Sequence, residues 1–206
     1  MRDAIARSLT IVDITLRKFF PEDFDKRCMY AAFGLSALLK QAGLAPQIVA
    51  GDFLCLVISS DNRQATLQGF GGSNSELPSH FWVEVSGLLV DLGPHYLPYR
   101  SSFRAMPMPV IRWSLGAATP RFLRYKENIR YDTNVKLCSD VTIMKRMEEF
   151  LAHCNNRSCS SPSSLGPPTW QLKNFDALQY AAARGDAWAK GAMYFLQSDL
   201  HGDLPF

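Results

Sequence analysis

Residues Ser79 to Pro94, SHFWVEVSGLLVDLGP, leave the chain little conformational freedom. Apolar and polar side chains alternate on both sides of Ser86-Gly87, the pattern of two half-buried strands joined by a two-residue turn. Such a turn pairs Val85 with Leu88 and, carried outward, sets Trp82 opposite Asp91. His80, Trp82, Glu84, Leu89 and Asp91 then share one face, while Phe81, Val83, Val85, Leu88, Val90 and Leu92 form a continuous apolar face for a core. Diagonal neighbours across an antiparallel pair have Cα atoms about 7–8 Å apart, within reach of a carboxylate and an imidazole, so Asp91 can meet His80. A slip of one residue turns Asp91 to the other side, so the meeting depends on this turn.

Strands disfavour aspartate, and a bare carboxylate beside a core is costly. Asp91 is explained if it accepts one ring N–H of His80, leaving the second ring nitrogen to face another group. Simpler readings stand beside this one. His80 can be a hydrogen-bonded structural histidine, Asp91 can open the Leu-Gly-Pro turn, and Trp82 and Glu84 read as a packing aromatic and a surface carboxylate. His95 is a substitute base, in a GPHYLP stretch that reads as loop.

The group to be faced is upstream. Ile5, Leu9, Val12, Leu16 and Phe19 or Phe20 recur at steps of three and four and predict a helix, which Pro21 ends. Asp23 and Asp25 stand where a helix cap would be, before KRCMYAAFGLSALLKQAG. There Cys28, Ala31 or Ala32, Leu35, Leu38 or Leu39 and Ala42 share a face, and Gly43 supplies the stop. Cys28 thus falls in the first turn of a helix whose Ala31, Ala32 and Gly34 let neighbours approach closely. A thiol of pKa about 8.5 is only a few per cent thiolate at neutral pH, and lowering it to about 6 takes roughly 3.4 kcal/mol. A helix amino terminus contributes about 0.3–1 kcal/mol and at most about 2, so an imidazolium is needed as well. Without one, Cys28 is an inert core thiol.

These segments, RCMYAAFGLSALLKQAGLAPQIVAGDF, then HFWVEV, then LLVDLGP, resemble the catalytic core of the transglutaminase-like superfamily. That core has a cysteine opening a buried helix, a strand with Val and Gly, a His-x-Trp-x-Glu-Val strand and an aspartate on the next. The superfamily shares the papain-like cysteine protease fold, and the related arylamine N-acetyltransferases use Cys, His and Asp in the same chain order, with the aspartate in a setting similar to VDLG. The resemblance spans roughly residues 25 to 95, and HxWxEV is its most specific part. It implies an α+β fold with the catalytic helix packed on an antiparallel sheet, Cys28 as nucleophile, His80 as general base and acid, and Asp91 as orienting carboxylate. The implied chemistry is acyl transfer or amide hydrolysis through a thioester, without metal or bound cofactor, on a peptide, protein or small-molecule substrate. Neither a glutamine nor a tryptophan precedes Cys28, so a papain-type side-chain oxyanion donor is absent and the Cys28 backbone N–H is the one donor to propose.

The remaining sequence frames this core. QIVAGDFLCLVIS predicts one or two strands, and SSDNRQATLQGFGGSNSELPS reads as turn chemistry throughout, either a lid before His80 or a plain connection. PMPVIRW, RFLRY and NIRYDTNVKLC predict short or edge strands. Asp140 is placed to cap a helix carrying Val141, Met144, Met147, Phe150 and Leu151. The expected division is a core domain over 1–154, a Ser/Pro-rich linker over 155–169, and an extension over 170–206 whose two short helices around Gly185-Asp186 pack on the core.

With 206 residues, 47% of them hydrophobic and 20% charged, the chain suits one globular domain with extensions and shows neither a disordered nor a membrane-protein composition. Asp3 and Asp13 interrupt any secretory apolar region, and a cytoplasmic protein is expected. Five scattered cysteines predict reduced thiols, and His153-Cys154 with Cys159 fits no usual zinc spacing. Residues 100–137 carry eight Lys/Arg against two acids, net +6, in a chain of net charge +3. That segment supplies solvent faces of strands or, alternatively, the site of a phosphate-bearing donor such as acetyl-CoA for N-acyltransfer. No nucleic-acid or membrane partner is expected. A third reading is a binding or structural module that keeps the fold without turnover.

Overall fold

In the computed structural model, which describes residues 2–70, 80–131, 140–162 and 164–197, the hairpin adopts the register that its turn requires. Ser86 and Gly87 have φ of 52° and 76°, the two left-handed conformations of a type I′ turn, and Val85 pairs with Leu88, Glu84 with Leu89 and Val83 with Val90.

The chain runs α1 (Arg2–Phe19), α2 (Cys28–Gln41), β1 (Gln47–Ile58), β2 (Ala65–Phe70), β3 (His80–Val85), β4 (Leu88–Asp91), α3 (Gly93–Tyr96), β5 (Val110–Ser114) and β6 (Leu123–Tyr131). It ends with α4 (Val141–Ser160), β7 (Gln171–Leu172), α5 (Phe175–Ala183) and α6 (Ala187–Gln197), giving a mixed α+β fold. One seven-stranded sheet has the order β2-β1-β3-β4-β5-β7, with β6 also on β1, and every pair is antiparallel except β5 with β7. β6 lies along one side of β1, while β2 and β3 follow each other along the opposite side, on Phe53–Ile58 and Gln47–Gly51 respectively. Between Ala50 and Gly51 the pairing skips Asn128, so β6 carries a bulge opposite the point where β1 also meets β3. A Cβ on Gly51 would stand 1.9 Å from the Lys126 carbonyl oxygen, so this crossing point of three strands admits no side chain.

Both faces of the sheet are covered. On one, α1, α2 and α4 pack Ile5, Leu9, Leu16, Leu35, Leu39 and Phe150 against Val83, Val85, Val90 and Leu92. The other places Trp82, Leu89 and Ile111 in a second core with Trp188 and Ala189 of α6, anchored where the Trp188 indole donates to the Leu56 carbonyl at 2.8 Å. Gly34 serves as its small size suggests: a Cβ there would lie 2.9 Å from Phe150 and 3.3 Å from Val12, so α2 sits tightly on α1 and α4.

Several local expectations are corrected. Neither Asp23 nor Asp25 caps α2: Phe24–Lys26 form a 3₁₀ turn, Arg27 occupies the cap position with no side-chain cap, and the two aspartates pair with Arg27 and Arg100 instead. Ala65–Phe70 form a strand, because β1 extends past β3 and offers Phe53–Ile58 as a pairing edge that turn composition does not reveal. The rest of the suggested lid, residues 71–79, lies outside the described residues, as does Cys138. Asn155–Ser160, expected as the start of a linker, continue α4 because the preceding Cys154 is buried against α2 and Arg7 of α1 donates to the Ser158 hydroxyl and to the Ser161 carbonyl. GPHYLP is a helical turn and not a loop. Among the described residues no helix is long and apolar enough to cross a membrane, and no three His, Cys, Asp or Glu side chains converge as metal ligands would.

Candidate active site

The three residues singled out by sequence come from three elements. Cys28 is the first residue of α2 and is half-buried. Being first, its backbone N–H has no intrahelical partner, and with no side-chain cap and no acid in the first turn, this helix end is left open to an anion. His80 opens β3, wholly buried, and Asp91 closes β4, 3% exposed.

His80 Nε2 donates to Asp91 Oδ2 at 2.7 Å, the contact the hairpin register predicts. Asp91 holds more than the histidine. The Tyr125 hydroxyl donates to the same oxygen at 2.7 Å, and the Gly93 backbone N–H donates to Oδ1 at 2.7 Å. Three donors on one buried carboxylate fix its position and, through it, the plane of the ring. Burial, and then the Asp91 charge, push the Tyr125 hydroxyl well above its ordinary range, so it remains a donor.

Among the described residues, His80 Nδ1 is buried and has no partner with hydrogen-bond geometry. Its neighbour is the Cys28 thiol. Burial lowers the pKa of the ring, but the Asp91 charge and hydrogen bond, reinforced by the nearby Cys28 sulfur, outweigh that penalty and push it up to about 10. An imidazolium beside sulfur is the condition the helix end alone could not meet.

Four aromatic rings hold the imidazole. Phe53 lies 4.8 Å away between centroids, Phe70 is stacked at 5.7 Å with an 11° tilt, Trp82 is stacked at 6.2 Å and Tyr125 stands at 6.5 Å. Gly93 closes the remaining side, since a Cβ there would be 2.3 Å from His80 Cε1 and 2.7 Å from Nε2. Sequence reasoning missed Tyr125, Phe53, Phe70 and Gly93 as parts of the site. The glycine of VDLGP was the one visible signal, for a glycine two residues after a candidate acid invites the question of what it makes room for.

Other candidates are placed elsewhere. Glu84 is not a plain surface carboxylate: it is 9% exposed and accepts from the Trp82 indole at 3.4 Å and from Arg130 at 2.7 Å. His95 has Nδ1 on the Met108 carbonyl at 3.1 Å and Nε2 facing Arg17 at 3.4 Å, which leaves neither nitrogen for a thiol. Cys55 also lies close to Asp91, but burial drives its pKa far up and makes it a poor nucleophile, and burial pushes Cys154 up to about 12. Arg100 and Arg130 of the basic segment are paired with Asp25 and with Glu84 and Glu127.

Comparison with protein-family models, curated proteins and solved structures finds no match to this chain.

Proposed function

We propose that the chain is a cysteine-dependent acyl transferase or amide hydrolase with a papain-like, transglutaminase-like core, in which Cys28, His80 and Asp91 form the catalytic set. One observation carries this reading: a buried histidine bound through Nε2 to a carboxylate has its other nitrogen without a partner among the described residues, beside a cysteine at an uncapped helix end. A structural histidine at full burial satisfies both nitrogens, because each buried polar atom left unpaired costs about 1–3 kcal/mol.

In the proposed reaction the proton resides on His80 Nδ1 and Cys28 is thiolate. Sulfur attacks the substrate carbonyl carbon, an S–C bond forms, and the carbonyl π electrons move to oxygen, which the Cys28 backbone N–H stabilises. The tetrahedral intermediate collapses as its C–N or C–O bond breaks and the leaving group takes the Nδ1 proton. The neutral imidazole then removes a proton from water or an amine attacking the thioester, the S–C bond breaks, and the thiolate–imidazolium pair returns. Asp91 stays ionised throughout and keeps Nε2 protonated, so that Nδ1 is always the nitrogen presented to sulfur.

The test uses p-nitrophenyl acetate as acyl donor and iodoacetamide as thiol probe. A burst of about one equivalent of p-nitrophenolate per chain, with one thiol alkylating much faster than the rest, both absent from Cys28→Ser, is the expected result. Equal slow alkylation of all accessible thiols and no burst would instead identify a module that keeps the fold without turnover.

A further inference from the structure

A histidine outside the catalytic set ties the two halves of the site together. His95 lies on α3, two residues beyond Gly93, whose N–H donates to Asp91 and whose missing side chain makes room for His80. The ring is held between the end of α1 and the segment that leads into β5. An arginine has only N–H groups to offer and a backbone carbonyl only lone pairs. His95 therefore carries its hydrogen on Nδ1, for the Met108 carbonyl at 3.1 Å, and presents the lone pair of Nε2 to Arg17 Nη2 at 3.4 Å. Only the neutral ring satisfies both neighbours. A proton on Nε2 would set N–H against N–H and cation against cation, where one hydrogen bond stood.

Arg17 cannot easily withdraw. Its Nε donates to the buried Asp13 at 2.9 Å, Nη1 donates to the Tyr99 hydroxyl at 3.2 Å, and the guanidinium lies over the Phe24 ring at 4.4 Å. Phe24 in turn meets Tyr96 and Tyr99 edge-on, with centroids 5.5 and 5.0 Å apart, four residues before Cys28. One cluster thus joins the segment that leads to the cysteine with the segment that leaves the aspartate. Asp13, the acid facing the ring, already accepts from Arg17 and from the Tyr96 hydroxyl at 3.0 Å. The other charged groups nearby are occupied or distant. Asp25 of the 3₁₀ turn pairs with Arg100, Lys26 is exposed, and Arg112, the titratable side chain of β5, lies beside Asp3 and Ala6 at the opposite end of α1. Burial, and with it the Arg17 charge, keeps the His95 ring below its ordinary range against the opposing pull of Met108 and Asp13.

We propose that His95 is an acid-operated clasp: protonation at Nε2 drives it from Arg17, α3 loosens from α1, and the Asp91–Gly93 corner that aligns His80 loosens with it. Nitrogen-15 NMR of the chain's four histidines should show an Nδ1–H ring that titrates below the ordinary 6.5 and is missing from His95→Gln. Because the folded-state value is lowered, the unfolded chain takes up the proton first, so the stability tied to the neutral ring is present above pH 6.5 and lost as pH falls below it. His80, raised instead, is charged in both states there and adds no slope. Urea midpoints should fall from pH 6.5 to about 5 in the wild type, and stay flatter in His95→Gln and in Arg17→Gln, where the charged ring meets an amide oxygen. Over the same window, exchange of the Gly93 amide hydrogen in the wild type relative to His95→Gln at equal pH should rise about tenfold. A His95 midpoint at or above 6.5, an acid loss retained in both variants, or a level exchange ratio overturns the proposal. The effect on reactivity rests on the proposed thiolate chemistry: the iodoacetamide rate of Cys28, again relative to His95→Gln, should fall about tenfold, since even about 1 Å of misplacement costs about a hundredfold. Failure of that chemistry shows already at neutral pH, where the clasp is closed, and the NMR, urea and exchange results then decide this proposal without it.

Discussion

Substituting Gly93 by alanine tests the construction of the site most directly. The added methyl carbon would stand 2.3 Å from His80 Cε1, against about 3.5–4.0 Å for an ordinary carbon contact, so the ring must retreat by more than about 1 Å. It has nowhere to go. Phe53, Phe70 and Trp82 pack around it with centroids 4.8, 5.7 and 6.2 Å away. A shift of that size lengthens the 2.7 Å bond to Asp91 past hydrogen-bond range, about 3.2 Å. Overpacking costs about 1–3 kcal/mol, and the reduced entropy of the unfolded chain returns about 0.4–1, which leaves a net loss of roughly 1–2 kcal/mol. For a chain of this size that is a fall in Tm of about 2–8 °C. A misplacement of about 1 Å in a catalytic group costs about a hundredfold, and the alkylation rate of Cys28 at neutral pH should drop by that order. Gly116→Ala is the control, because its Cβ would meet nothing closer than the Ser114 hydroxyl at 4.0 Å. Wild-type alkylation and Tm in Gly93→Ala would show that the ring is not confined as described.

Tyr125→Phe deletes the hydroxyl on Asp91 and keeps the ring; a loss of about 1.5–3 kcal/mol in urea denaturation is expected, and a neutral result would remove Tyr125 from the network. The folded-state pKa of His80 lies above its ordinary 6.5, at about 10, so the stability it contributes is fully present below pH 6.5 and lost as pH rises through 10. Urea midpoints should therefore fall between these limits in the wild type and stay flatter in His80→Gln. Gly34→Ala gains about 1 kcal/mol of helix propensity but sets a methyl 2.9 Å from the fully buried Phe150, for about 1–3 kcal/mol of overpacking. A lowered Tm is expected, and a raised one would show that α2 and α4 can separate.

Much of the site was legible because its central contact is local. Alternation around Ser86-Gly87 sets the register, the register sets which side chains share a face, and eleven residues of separation place His80 against Asp91. The stripe of Ile5, Leu9, Val12 and Leu16 and the stop at Gly43, with φ of 77°, were equally local. The amino terminus of α2 was misread for the converse reason. Asp23 and Asp25 suit a cap by type, but Arg27 and Arg100 compete for them, and Arg100 is 75 residues away.

What the sequence determined by itself was the hairpin, its register, the two amino-terminal helices, and hence a histidine meeting an aspartate with a cysteine at a helix end. Those follow from torsional preference and side-chain period, which act within a turn of helix or across one β-turn. Only the tertiary structure decided that β6 brings Tyr125 onto the same carboxylate, that Phe53 and Phe70 enclose the ring, and that Gly93 must lack a side chain. Which strand lies beside which, and how closely, depends on close packing among segments tens of residues apart, and nothing in the pattern of any one segment contains it.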